Sequence, residues 1–472
     1  MALWRAKDKP PVELVVANLE NKIWLRVKMR ILHYGLGFPP YRTGGMTKFC
    51  MDIMAEQRNI GHDVALLWPG QMQLFDRKVS VRKRKSNNGI GSYEIINPLP
   101  VSYDEGIVEI GEFCKPCEKN AYKQILMEFN PDVIHVHTFM GVHKEFLEVA
   151  KEMNIRTVFT VHDFFAICPK VTMFRDGEPC NSVKSCEQCP KCNLTALSLK
   201  KIYLLQHPLY RLLKNSALVK KLRKGHRDQY LSGESLSQVS DDLVTMTAED
   251  YKVLRKYYGE MLKFIDVIHA NSSVTKTVFS SIYNVNNMKV ISISHADIQD
   301  HRKIKKFTPD KLRITYMSPA SGAKGYFVLK NALDRLWESK SRQFSLNVFF
   351  ELEEIPSYMN THGRYDYSDL EKIFDETDVL VAPSICYETF GYTVLEALSY
   401  GVPVIVSDHV GAKDIIPDKG GIIIENMDEE KLYEIIRGLT SEKLVEMNTN
   451  IVKHGSIMTV KNMTDEIMSK CY

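Results

Sequence analysis

Long apolar runs are missing from this chain. None of its stretches approaches the ~20 uninterrupted apolar residues a helix needs to span a bilayer, so a helical membrane protein is not expected. Net charge is also scarce. Lysine and arginine number 62 against 58 aspartates and glutamates, leaving +4, too little for whole-surface binding of nucleic acid, although a local basic patch stays open. The opening residues, MALWRAKDKPPVELVV, lack the charged-then-apolar pattern of a secretory leader, so a cytoplasmic location is expected. Ten cysteines are few for 472 residues, and in a reducing compartment their clustering points to metal rather than disulfides. Short-period repeats are absent. What is present, 44% hydrophobic and 25% charged residues, is the composition of a folded protein of two to four domains.

Residues 1–28 do not fit an evident core and are read as an extension, with the clean pattern starting at Met29. From there apolar runs alternate with helical stretches. MRILHYG (29–35) leads into a glycine-rich turn, GLGFPPYRTGG (35–45), and a helix over about 46–59. DVALLW (63–68), DVIHVHT (132–138), a helix around 142–152 and RTVFTVH (156–162) follow. Apolar runs of this length between helices indicate a buried parallel sheet. A cysteine-rich stretch (168–192) and a mostly helical segment to about 260 interrupt it before DVIHA (266–270) and KVISIS (289–294). A second block runs through LRITYM (312–317), helix 325–338, SLNVFF (345–350), DVLVAP (378–383), helix 391–400, VPVIVS (402–407) and GIIIE (421–425). Two such blocks predict two doubly wound domains facing across a cleft, joined through 295–310.

PSICYETFGYTVLEALSYGVPVIVSD (383–408) carries the chemistry. Glu388 and Glu396 straddle a predicted helix start whose first turn follows Phe390, Gly391 and Tyr392. Free backbone N–H groups and the helix dipole make such a start an anion site suited to a diphosphate. Glu388 can then accept hydrogen bonds from hydroxyls near the phosphate, and Glu396 can reach a ribose diol. The alternative is a capping acid and an exposed charge.

This E-x7-E segment, followed by GVPVIVSD, resembles the donor-site signature of family-4 glycosyltransferases of the GT-B fold. Gly44-Gly45, PDVIHVH (131–137), FTVHDFF (159–165), the S-H-A-D connection (294–297) and Lys324 in ASGAKGY fall in the order that family shows. The resemblance covers most of residues 29–440. It implies an α/β, GT-B type fold of two Rossmann-like domains: 29–296, with an insertion at about 168–260, and 297–440. A helical segment, 441–472, is expected to pack back on the first domain.

The resemblance further implies a nucleotide-diphosphate sugar as donor, bound mainly by the second domain. Glu388 would bond donor sugar hydroxyls and Glu396 the nucleotide ribose. The N–H groups around Phe390, Gly391 and Tyr392 would hold phosphate, with Lys324 as the cation on the diphosphate. Gly44 and Gly45 would let their loop approach donor and acceptor, and His162, at a strand end, would lie near the donor sugar. Read without the family, Lys324 is a surface lysine and His162 caps its strand through Asp163. His135 and His137 are expected on opposite faces of one strand and are read as structural. The implied chemistry is transfer with retention of configuration, with no cofactor required. One departure stands out: the family commonly pairs the lysine with an arginine, and none lies between Arg313 and Lys324.

Cys168, Cys180, Cys186, Cys189 and Cys192 lie within 25 residues. Cys180, Cys186, Cys189 and Cys192 form the best candidate set for a structural zinc; reduced thiols in a folded loop and an iron–sulfur cluster are the other readings. From Lys191 to Arg227 there are ten Lys/Arg and no Asp/Glu, with apolar residues at helical spacing. Such a stretch can lie on an anionic membrane surface or form a solvated basic face of an insertion. The functional expectation is sugar transfer to a saccharide or lipid-linked saccharide. A nucleotide-sugar epimerase and a nucleotide-sugar-binding scaffold subunit are the alternatives.

Overall fold

A computed structural model describes residues 14–19, 22–73, 75–213, 216, 246–307, 311–340 and 343–472. Residues 214–215 and 217–227 of the basic stretch, and 1–13 of the N-terminal extension, lie outside them. The rest of that extension contains an antiparallel hairpin, β1 (Leu14–Leu19) with β2 (Lys22–Val27).

The first large sheet is built from β3 (Arg30–Tyr34), β4 (Asp63–Pro69), β5 (Ser80–Asn87), β6 (Ile90–Ile96), β7 (Val133–Val136) and β8 (Arg156–Val161). A two-residue hairpin within the cysteine-rich stretch, β9 (Phe174–Arg175) with β10 (Glu178–Pro179), stands apart from it. β11 (Val267–Ala270) and β12 (Met288–Val290) complete the sheet, in the order β12-β11-β8-β7-β3-β4-β6-β5. All its pairs are parallel except β5 with β6. The buried strands are the apolar runs of the sequence, because helices cover both faces of a parallel sheet. Of KVISIS only the first two residues pair; Ile291 bonds Ala270 O and the chain then leaves the sheet.

The second sheet takes β13 (Leu312–Tyr316), β14 (Phe344–Val348), β15 (Met359–Thr361), β16 (Val379–Ala382), β17 (Val404–Ser407) and β18 (Gly421–Ile424). Its order is β15-β14-β13-β16-β17-β18, all parallel. In such a sheet ligands bind beyond the strand carboxyl ends where the order reverses. That point lies between β13 and β16 here, and between β3 and β7 in the first sheet. Lys324 follows β13, Glu388 follows β16, and the glycine-rich turn follows β3. The topology thus brings together loops that are far apart in the chain.

The two units share an apolar core. Phe49, Ile53, Val133, Val158 and Val267 of the first pack in one cluster with Phe390, Val394, Val406 and Val410 of the second. Helix Val460–Cys471 joins that cluster through Met463, Ile467 and Cys471, lying on helix Gly45–Asn59; Arg156 donates to Cys471 O at 3.2 Å. Among the described residues no helix is long and apolar enough to cross a membrane.

Candidate active site

Lys324 and Glu388 meet. The Lys324 ammonium lies 3.0 Å from Glu388 Oε2, and the Ser384 hydroxyl donates to Glu388 Oε1. The two loops are stitched by Ile385 and Cys386 N–H groups donating to Ala323 O, each at 3.0 Å. Burial works against the charge on Lys324, but the Glu388 carboxylate beside it holds its pKa above the ordinary lysine value. Lys324 is therefore a cation fixed at the switch point. Gly325 makes this possible: its φ is +71°, and a Cβ there would run into the Pro383 backbone.

Glu388 enters its loop with backbone bonds to the segment after β17. Its N–H donates to His409 O at 3.0 Å, its carbonyl accepts from Gly411 N–H, and Ala412 N–H donates to Phe390 O at 2.7 Å. Gly391 (φ +107°) then turns the chain into helix Tyr392–Ser399, with Val410 close against it. The N–H groups at this helix start lack intrahelical acceptors by geometry, and such a start close to Glu388, to which an added Gly391 Cβ would come within 3.8 Å, is the kind of place where anions bind. Phe390 is buried in the shared core. The Tyr392 ring lies against Gly45, whose added Cβ would sit 3.5 Å from it. Gly45 begins its helix just after Gly44, so both glycines stand where the first unit's loop approaches the second.

Glu396 is deeply buried. Its Oε1 lies 3.2 Å from His295 Nε2, while its Oε2 is buried with no hydrogen-bond partner. The Tyr392 hydroxyl and Asp408 Oδ1 are in the same state. Buried polar atoms are almost always satisfied, so Glu396 Oε2 and the Tyr392 hydroxyl, on one helix, keep hydrogen-bonding capacity that the protein itself does not use. Beyond His295 the charges continue to Asp297, Lys48 and Asp52. His295 Nδ1 to Asp297 is 3.5 Å, and Lys48 Nζ lies 2.6 Å from Asp297 and 3.3 Å from Asp52. Sequence reasoning assigned no roles to His295, Asp297, Lys48 or Asp52. Only the S-H-A-D motif marked two of them.

His162 sits just past β8. Its carbonyl accepts from the Thr389 hydroxyl at 2.9 Å, placing it beside the Glu388 loop. Its Nε2 lies 3.2 Å from His137 Nδ1, and Phe49 meets its ring edge-on. It does not cap through Asp163, which instead accepts from Phe165 N–H. Burial holds the His162 pKa down at about 3. The assignment of His135 and His137 to opposite faces fails: residues two apart on a strand share a face, and their ring centroids are 4.2 Å apart.

The cysteines behave differently. Among the described residues, the only group of three or more His, Cys, Asp or Glu with ligand atoms mutually within 4.8 Å is His33, His135 and His137. Cys180, Cys186, Cys189 and Cys192 are not gathered to that degree. Cys186 is buried and accepts from the Arg255 guanidinium at 2.9 Å; a hydrogen bond from the Cys189 thiol, with Arg255 assisting, lowers its pKa. The arginine absent beside Lys324 is not supplied by Arg313, which forks onto Asp378 at 2.6 and 3.1 Å where β13 begins.

Two largely parallel sheets, one offering a fixed cation and a helix start at its switch point, give the architecture of the GT-B fold. The family description "Glycosyl transferases group 1" matches residues 297–457, and "Glycosyltransferase Family 4" matches 43–179. The chain belongs to the family-4 glycosyltransferases of the GT-B fold. An uncharacterized 41.2 kDa protein in the cps region of Klebsiella pneumoniae is 28% identical over 191 residues, 37% of this chain and 52% of that protein. The chain thus spans about half the length of that curated relative. Sucrose-phosphate synthase from Thermosynechococcus elongatus superposes with a TM-score of 0.55 at 12% identity, covering 94% of this chain and 98% of that one. Anabaena HepE, solved with UDP and glucose, gives 0.50 at 15% identity over 93% and 98%. These two likenesses are of fold.

Proposed function

We propose that this glycosyltransferase moves a sugar from a nucleotide-diphosphate sugar to a saccharide or lipid-linked saccharide, with retention of configuration, in the building of a polysaccharide or glycolipid. The observation that carries the reading is the Lys324–Glu388–Ser384 cluster at the helix start. Lys324 and the N–H groups near Phe390, Gly391 and Tyr392 hold the diphosphate; no metal ion is needed for its charge. Glu388, steadied by Ser384, accepts hydrogen bonds from donor sugar hydroxyls. Glu396 Oε2 accepts from the ribose diol, and its burial makes an unmet hydroxyl costly. His162 and the Gly44-Gly45 turn bound the sugar from the first unit.

In the step itself the bond from the anomeric carbon to the diphosphate oxygen breaks. The acceptor oxygen bonds to that carbon on the same face, and its proton passes to the departing phosphate oxygen. Lys324 stabilises the charge growing on the leaving group. Contact with an anionic membrane through 191–227 fits a lipid-linked acceptor. Zinc at Cys180, Cys186, Cys189 and Cys192 remains part of the proposal. It would require Cys186 to exchange Arg255 for metal, and metal analysis of freshly reduced protein decides it.

Purified protein with a panel of nucleotide sugars and saccharide acceptors tests the reading. Release of nucleoside diphosphate only when acceptor is present, with product of unchanged anomeric configuration by NMR, is the expected outcome. An isomerised nucleotide sugar would make the protein an epimerase. Saturable binding without turnover would make it a scaffold.

A further inference from the structure

Five histidines from four separate segments, His135 and His137 sharing β7, form one hydrogen-bonded line. His269 Nε2 lies 2.8 Å from Ile291 O, and its Nδ1 2.9 Å from Thr160 Oγ1. Thr160 Oγ1 is 2.6 Å from His135 Nε2, and His135 Nδ1 is 2.7 Å from the Tyr472 hydroxyl. Gln57 Nε2 is 2.8 Å from that hydroxyl, and its Oε1 2.7 Å from His33 Nε2. His33 Nδ1 is 2.9 Å from His137 Nε2, and His137 Nδ1 3.2 Å from His162 Nε2.

Only one arrangement of protons satisfies every link. A carbonyl oxygen cannot donate, so His269 carries its proton on Nε2 and, being neutral, accepts at Nδ1 from Thr160. The Thr160 hydroxyl, having donated there, accepts from His135 Nε2–H. His135 Nδ1 then accepts from Tyr472, whose oxygen accepts from the Gln57 amide. Gln57 Oε1 is left to accept from His33 Nε2–H, His33 Nδ1 from His137 Nε2–H, and His137 Nδ1 from His162 Nε2–H. Burial keeps all five rings neutral: it lowers His33 and His269 to about 4, His162 to about 3, and His135 and His137 well below the ordinary value.

We propose that this line, anchored at Ile291 O and passing through Tyr472, fixes His162 as the Nε2–H tautomer, so that Nδ1 presents a lone pair to the cleft and accepts a hydrogen bond from a sugar hydroxyl. His162 Nδ1 has no protein partner among the described residues, and it is not among the buried unpartnered atoms. Tyr472 and Gln57 are then positioning residues for a ring they do not touch. The geometry that brings His33, His135 and His137 to metal-ligand spacing is accounted for without an ion, because every ring nitrogen of the three already has a partner. The substrate half of the proposal rests on the sugar-transfer reading; the tautomer half does not.

Long-range 1H–15N correlation spectra of histidine-labelled protein test it. In the wild type all five rings are expected as Nε2–H tautomers. Tyr472→Phe keeps the ring but removes the hydroxyl. It cuts the line so that His135 and His269 stay anchored, while His33, His137 and His162 lose their reference and His162 becomes a mixture. A merely structural defect would instead disturb His135, the direct neighbour, and spare His162. With transfer activity in hand, KM for the sugar substrate should rise about 3- to 10-fold in Tyr472→Phe. Protonated Nδ1 on His162 in the wild type, an unchanged His162 in Tyr472→Phe, or stoichiometric metal whose removal shifts these resonances would each overturn the proposal. Expected tautomers in a protein that transfers no sugar would leave the line intact and refute only the activity.

Discussion

Gly325→Ala is the sharpest perturbation of the donor wall, because it alters no functional group and enlarges one residue by a methyl. Gly325 adopts φ +71° between the β13 loop and helix Tyr326–Glu338. A non-glycine residue in this left-handed region costs roughly 1–2 kcal/mol. The new methyl would overlap the Pro383 carbonyl oxygen and stand 2.7 Å from its carbon, whereas carbon atoms settle at about 3.5 Å or more. Something must therefore move by more than about 0.8 Å, and on the far side it is backbone, directly before Ser384. Overpacking of this kind costs roughly 1–3 kcal/mol, so the total is about 2–5 kcal/mol. That corresponds to a Tm lower by very roughly 5–15 °C for a unit of this size. Activity should suffer more, since Pro383 and Ser384 steady Glu388 and a misplacement near 1 Å can cost about 100-fold. Thermal melts by circular dichroism and kcat/KM for transfer check both numbers. Gly363→Ala, where an added Cβ meets nothing within 4 Å, is the control. A Gly325→Ala protein that melts within about 1 °C of wild type and keeps its activity within about threefold would refute the claim that this close approach sets the site.

Glu388→Ala should lower kcat/KM by roughly 100- to 1,000-fold, with a folded protein destabilised by about 1–3 kcal/mol because Lys324 and Ser384 lose their partner. A variant as active as wild type would remove Glu388 from the donor site. His295→Ala strips Glu396 of its one partner, and leaving that carboxylate buried alone should cost about 1–3 kcal/mol. In Glu396→Gln protein the same change should cost less, which a double-mutant cycle of chemical denaturations measures. Acid should destabilise the fold early. His33, His135, His137, His143, His162 and His269 are held below the ordinary histidine pKa by burial. Their contribution is complete above about pH 6.5 and falls by about 1.4 kcal/mol per pH unit for each ring as pH drops toward their folded values. Melts at pH 7.5, 6.5 and 5.5 should show little change over the first step and a steep fall over the second; equal melting at 7.5 and 5.5 would contradict neutral rings.

The parallel cores were legible because burial on both faces demands continuous apolar runs, and MRILHYG, DVALLW and DVLVAP are such runs. β5 was not, because SVRKRKSN is an exposed edge strand whose charges protect the edge and erase the apolar signal. The E-x7-E segment was legible as a local pattern, and Lys324 as a loop cation, but their meeting was not. It depends on β13 and β16 being neighbours, and these strands are more than sixty residues apart in the chain. The Glu396–His295 contact joins positions 101 apart, and the histidines of the line come from four segments. No spacing rule finds such contacts. The false placing of His135 and His137 was a different failure, since the period of a strand alone puts residues two apart on one face.

The contacts between the two units are of two kinds, polar and apolar, and they differ in what it costs to break them. Around the Glu388 loop they are polar. Ser272 and Thr275 donate to Thr389 O at 2.8 and 3.1 Å, Thr389 donates to His162 O, and Ser273 donates to Asp414 at 2.6 Å through both its N–H and its hydroxyl. Each of these groups can exchange its partner for water at small net cost. Beside them Phe49, Ile53, Phe390, Met463 and Ile467 are sealed in one apolar cluster, and separating them would expose surface at about 25 cal/mol per Å², so the apolar contacts hold the two units together more firmly than the polar ones do.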